Sequence, residues 1–75
     1  MTWQDFVYRA SALRYPTVKD ADGTTIVGFP AGYIAPATDG PAGPRVHVVL
    51  DSASIVYDMP GEKDVESFLR RVAPR

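Results

Sequence analysis

Cysteine is absent from this chain of 75 residues, and histidine occurs once. Without thiols there are no disulfide staples and no thiolate zinc site, which fits a reducing compartment. No apolar run approaches the ~20 residues that a membrane span needs. The opening TWQDFVYRA has no basic segment leading into an apolar one, so no secretory signal is expected. The expectation is a cytoplasmic protein without membrane association. Chemistry-bearing motifs are equally scarce. Gly40-Pro41-Ala42-Gly43-Pro44 lacks the Lys-Ser/Thr that follows a phosphate-binding loop. Ser11, Ser52, Ser54 and Ser67 lie in no nucleophile-elbow context.

What the chain does have is a pattern of short strands between two helices. The densest apolar cluster is Arg45–Asp58, RVHVVLDSASIVYD. Alternation puts Val46, Val48 and Leu50 on one face of a strand, with Arg45, His47 and Val49 on the other. Beyond Asp51-Ser52-Ala53-Ser54, Ile55 and Tyr57 share a face and Val56 opposes them. Asp and Ser suit the turn because their short side chains bond the local backbone, so this stretch is expected to be an antiparallel hairpin.

Residues 2–14 predict a helix. Thr2 can cap it with Asp5 three residues on, and Trp3, Phe6, Val7, Ala10 and Leu13 follow one buried stripe. Pro16 should end it near Arg14. Residues 17–29 predict a hairpin turning on Asp20-Ala21-Asp22-Gly23. Residues 30–44 hold seven Gly or Pro. Proline cannot donate to a ladder, so no central strand is expected there. Gly32–Ala35 is expected to form a short edge strand, and residues 36–44 a long surface loop. Residues 60–73 predict a second helix, with Val65, Phe68, Leu69 and Val72 on one stripe. Acids crowd its start and Arg70 and Arg71 its end, as the helix dipole favours.

Together these give one α+β domain over residues 1–75, in the order α-β-β-(β)-β-β-α. A small antiparallel sheet of four to five strands would carry both helices on one face, with Trp3 and Phe68 as core residues. A chain this short buries only about 60–65% of its unfolded surface, so its net stability should be a few kcal/mol.

The formal net charge of −1 hides an asymmetry. Residues 1–19 carry +2, residues 20–66 carry −6 and residues 67–75 carry +3. Asp20, Asp22, Asp39, Asp51 and Asp58 all fall at or near expected turns. If the two hairpins share one sense, Asp20, Asp22 and Asp51 would gather at one end of the sheet. All five, Asp20, Asp22, Asp39, Asp51 and Asp58, are the candidate partner-binding residues. Arg9, Arg14, Arg70, Arg71 and Arg75 are the candidates for an alternative contact with nucleic acid, although such domains usually carry a clear basic excess.

Other features have plain readings. His47 opposes the buried valines and reads as a surface or edge histidine without catalytic duty. Asp20-x-Asp22-Gly23 echoes the opening of a calcium loop, but Ala31 stands where that loop needs its last Glu; it reads as a turn. Pro41-Ala42-Gly43-Pro44 could take polyproline II form but reads as solvated loop. No metal and no cofactor are expected.

The resulting expectation is a small non-enzymatic binding protein. It would occlude a site on a larger protein or nucleoprotein assembly that presents a basic surface. Small inhibitors made by phages, including anti-CRISPR proteins, are of this kind by class-level analogy alone.

Overall fold

The fold, seen in a computed structural model that describes residues 1–40 and 43–73 (the side chains of residues 38–40 excepted), begins with the helix that Thr2 caps. Helix α1 spans Trp3–Ala12. The Asp5 N–H donates to Thr2 Oγ1 at 3.2 Å and the Thr2 N–H to Asp5 Oδ2 at 3.4 Å, closing the capping box. Ahead of Pro16 the chain leaves the helix through Arg14 in the left-handed region, φ 73°, and the Tyr15 N–H returns to the Ala10 carbonyl at 3.1 Å.

Five strands follow: β1 Thr17–Lys19, β2 Thr25–Phe29, β3 Gly32–Gly40, β4 Gly43–Leu50 and β5 Ser54–Asp58. They form one antiparallel sheet in the order β1-β2-β3-β4-β5. A 3-10 turn at Glu62–Asp64 leads into helix α2, Val65–Val72. This is the α+β arrangement expected, with an N-terminal helix, a C-terminal helix and the sheet between them.

The Pro/Gly-rich segment is where expectation and structure part. Gly32–Ala35 is no edge strand: β3 is the centre of the sheet. Residues 36–44 are no long loop either, since β3 runs to Gly40 and β4 starts at Gly43; residues 41 and 42 lie outside the described residues. Hydrogen-bond parity explains how Pro36 is accommodated. The Gly28 N–H donates to the Pro16 carbonyl and the Asp20 N–H to the Thr24 carbonyl, so even-numbered residues of β2 face β1 and odd-numbered ones face β3. The β2–β3 pairing ends at Val27↔Ile34. One step further, Thr25 would need a donor from residue 36, which as proline has none. The Trp3 indole fills that place, donating to the Thr25 carbonyl at 2.9 Å. On its other side β3 pairs with β4 through Ala35↔His47 and Ala37↔Arg45, so Pro36 leaves that ladder intact.

Both helices cover one face of the sheet. Phe6 and Ala10 of α1 and Val65, Phe68 and Leu69 of α2 are buried with Val27, Phe29, Ile34, Val46 and Val48. Trp3 is half-buried and packs against this core rather than lying within it. An aromatic chain links the layers. Trp3 stacks on Phe6 at 5.3 Å, Phe6 meets Phe68 edge-on at 6.1 Å, and Phe68 meets Tyr57 edge-on at 5.5 Å. The Tyr15 hydroxyl donates to the Ala73 carbonyl at 3.2 Å and ties the end of α2 to the exit of α1.

Candidate interaction surface

Because the strands alternate, the residues not facing the helices line the opposite face of the sheet. Val18 sits directly across from Ile26, Tyr33 across from Val49, and His47 between Ala35 and Val56. Val18 is 54% exposed, Tyr33 38% and Val56 50%, while Ile26 and Val49 are half-buried. No element of the described chain covers this face. On this face Val18, Ile26, Tyr33, Val49 and Val56 surround His47, with Arg45 and Asp58 toward one end.

The acidic candidates distribute around it. In a five-stranded meander, successive turns alternate between the two ends of the sheet. The β1–β2 turn, with Asp20 and Asp22, therefore lies at one end, and the β4–β5 turn, with Asp51, at the other. The cluster of Asp20, Asp22 and Asp51 does not form, because β2 and β4 run in the same sense and the two hairpins close in opposite directions. Asp58, at the far end of β5, shares an end with Asp20 and Asp22, but β1 and β5 are opposite edges, about 19 Å apart at ~4.8 Å per strand. The backbone of Asp39 lies in β3 at that same end; its side chain is outside the description. Acids thus stand at three of the four corners of the sheet rather than at one point.

Local chemistry at each corner differs. In the β1–β2 turn, Asp20 Oδ1 accepts from the N–H groups of Asp22 and Thr24 at 3.0 and 3.1 Å, and Asp22 Oδ1 accepts from the Thr24 N–H at 3.1 Å. Gly23, at φ 88°, completes the turn. These carboxylates serve the turn, as the plain reading of the Asp20-x-Asp22-Gly23 motif expects. No group of three or more His, Asp or Glu side chains among the described residues is arranged to hold a metal ion. Hydrogen bonding with the Asp20 side chain, then with the Thr24 hydroxyl and the Thr24 N–H, holds the Asp22 carboxyl below its ordinary pKa. A depressed carboxylate contributes stability above its unfolded pKa and loses it as pH falls through the folded one. Asp22→Asn is therefore expected to lose that contribution near neutrality, where the carboxylate is charged, and to converge with wild type as pH falls below about 4, which flattens the acid limb of its stability curve. Urea titrations across that range check it.

Asp58 is engaged across the strands with Arg45, Nε to Oδ1 at 3.5 Å, at non-hydrogen-bonding geometry. Both side chains are exposed, so the pair is worth at most about 1 kcal/mol. The arginines named for a nucleic-acid contact belong to the opposite, helical layer. Arg9 is bound to Glu62 and Arg70 to Glu66; Arg71 lies over the Phe68 ring at 5.6 Å; Arg14 is exposed at the exit of α1. Arg75 lies outside the described residues. The layers also sort the charge. Residues 15–60, the sheet and its turns, carry five acids against two bases, whereas the two terminal segments carry four acids against six bases. Glu62, Asp64 and Glu66 belong with the helices, where the linear tally had grouped them with the acidic middle.

His47 has Ala35 and Val56 as its direct cross-strand neighbours and no ion pair with a carboxylate among the described residues. His47→Ala is expected to shift stability by less than about 0.5 kcal/mol, as read by urea denaturation. Because His47 lies on the open face, a change in partner binding would report that face and not catalysis by the imidazole.

The apolar residues of the open face are not among the candidates read from the sequence. The signal was present in the parity of Val18, Ile26, Tyr33, Val49 and Val56, but only the strand register shows that these residues share one surface. No family model, curated protein or solved structure matches the chain. Among the described residues, no helix is long and apolar enough to cross a membrane.

Proposed function

We propose that this is a small binding protein without chemistry of its own, working in the cytoplasm, which occludes a site on a larger protein or nucleoprotein assembly. The observation that carries this reading is the open sheet face, apolar at its centre and acidic at three corners. Interfaces of non-obligate complexes have that anatomy, a desolvated apolar core within a charged rim. The complementary partner surface is apolar with a basic surround. The rim acids act on association rate and specificity, and burial of the centre supplies most of the affinity. Inhibitors of the phage type, anti-CRISPR proteins among them, work by such occlusion, and the reading assigns this chain to that class of action. The nucleic-acid alternative, through Arg9, Arg14, Arg70, Arg71 and Arg75, is weakened by the carboxylates that already hold Arg9 and Arg70.

The test uses tagged protein as bait in host lysate, followed by affinity measurement with the captured partner. Tyr33→Lys combined with Val49→Lys is expected to weaken binding at least about 100-fold, since charge is placed in a desolvated centre. Asp51→Lys, and Asp20→Lys with Asp22→Lys, are each expected to slow association about three- to tenfold, with wild-type affinity falling as salt is raised. Full binding by the Tyr33/Val49 variant, or salt-sensitive binding of the wild type to an oligonucleotide at comparable affinity, overturns the reading.

A further inference from the structure

The two edges of the sheet are built differently. β1 is three residues long, follows Pro16 and ends in Lys19, devices that discourage another strand from adding. β5 has five residues, no Lys, no Pro and a regular ladder with β4. Its side chains Ile55 and Val56 are 43% and 50% exposed. The Leu50 N–H donates to the Ala53 carbonyl and the Met59 N–H to the Pro44 carbonyl. By parity, residues 53, 55, 57 and 59 therefore direct their backbone groups at β4, and the N–H and C=O groups of Ser54, Val56 and Asp58 point outward.

The geometry points to β5 as a self-pairing edge, whose occupant is β5 of a second copy of this chain. An antiparallel two-fold pairing centred on Val56 uses every outward group: Val56 bonds Val56 of the second copy, and Ser54 and Asp58 bond each other's backbones. The side chains match in the same register. Val56 lies against Val56 on the open face, and Ile55 lies against Tyr57 on the helical face. Asp58 faces Ser54, whose hydroxyl can donate to the carboxylate, so no like charges are opposed. Beside this edge a groove of about 480 Å³ lies between β5 and α2, lined in part by Tyr57, Met59, Phe68 and Arg71. The pairing brings Ile55 of the second copy to its mouth. The two-fold axis is perpendicular to the sheet, so both open faces come to lie on one side of a single doubled sheet.

Five strand residues per chain bury well under the ~1,200 Å² of a standard interface, so the dimer is weak. It also brings Asp58 of one copy toward the turn bearing Asp51 of the other. Added salt therefore strengthens self-association, opposite in sign to the salt effect expected for the partner complex.

Sedimentation equilibrium tests this, on the intact chain from about 10 μM to 1 mM. The expected result is a mass rising from 8.2 kDa toward twice that value, with a midpoint of about 0.1–1 mM that moves lower in high salt. Val56→Pro removes only an outward N–H and so spares the β4 ladder. Both Val56→Pro and Val56→Lys should remain monomeric throughout while unfolding as cooperatively as wild type. Val18→Lys, on the far edge, should dimerise like wild type. A constant monomer mass to 1 mM, a dimer that survives either Val56 variant, or one lost equally in Val18→Lys overturns the proposal. Val56 also lies on the open face, so the two tests are kept apart by their readouts: this one follows the mass of the free chain, and the Tyr33/Val49 test follows affinity for the captured partner.

Discussion

Phe68→Ala is expected to leave most of the chain unfolded at 37 °C. Phe68 is 3% exposed and joins three parts of the molecule, through edge contacts with Phe6 of α1 at 6.1 Å and Tyr57 of β5 at 5.5 Å from its own position on α2. Truncating a buried phenylalanine typically costs about 3–5 kcal/mol, part lost burial and part residual cavity. Each kcal/mol lowers the melting temperature of a domain this size by roughly 4–8 °C. A drop of at least about 15 °C should follow, against a total stability of only a few kcal/mol. The cavity cannot collapse easily, because its walls come from two helices and a strand held by separate contacts. Phe68→Leu, which keeps much of the volume, should recover more than half of the loss. Thermal melts followed by circular dichroism compare the three proteins. A Phe68→Ala melting temperature within about 3 °C of wild type would remove α2 from the core.

How far such a residue can be found from sequence depends on what the fold does with local rules. Phe68 was legible because α2 is amphipathic, with Val65, Leu69 and Val72 at the spacing of one face. The same is true of α1, whose cap at Thr2 and Asp5 reads directly. Val46 and Val48 were legible from alternation, as was the facing of Val56 opposite to Ile55 and Tyr57. What local rules could not reach was pairing order. Proline is excluded from a central strand only if its missing donor faces a partner that needs it. At Pro36 the donor faces the point where the β2–β3 ladder stops, and an indole twenty-two residues before Thr25 takes the orphaned carbonyl. No window around Pro36 contains that information.

The acidic residues show the same limit at the level of the surface. Each was correctly placed at or near a turn or strand end, because Asp favours such positions for local reasons. Whether two turns share an end depends on how many strands separate them. Recognising residues 36–40 and 43–44 as strand adds no reversal that brings Asp51 to Asp20 and Asp22. Instead the meander sets the β1–β2 and β4–β5 turns at opposite ends. Charge is thereby spread around the open face, and the apolar centre, not the acids, becomes the surface with the greater energetic weight.

Gly32→Ala is the other change expected to have a large effect, and it tests the centre of the sheet rather than its cover. Gly32 opens β3 directly after the Pro30-Ala31 turn and is paired on both sides, with Phe29 of β2 and Leu50 of β4. A Cβ at this position would overlap the Val49 carbonyl oxygen and lie 2.9 Å from its carbon and 3.2 Å from the Leu50 Cα. These are backbone atoms of an interior strand, so relief requires displacing β4 itself. Overpacking against side chains costs about 1–3 kcal/mol and occasionally more; against a fixed backbone the upper end applies, about 3 kcal/mol. Gly23 provides the comparison. It has φ 88° but nothing within 4 Å of a Cβ, so Gly23→Ala carries only conformational strain in an exposed turn, about 1 kcal/mol. Urea denaturation should therefore rank Gly32→Ala below Gly23→Ala by at least about 1.5 kcal/mol. Equal losses would mean that Gly32 is needed for the turn alone, and that β3 and β4 do not approach as closely as their register requires.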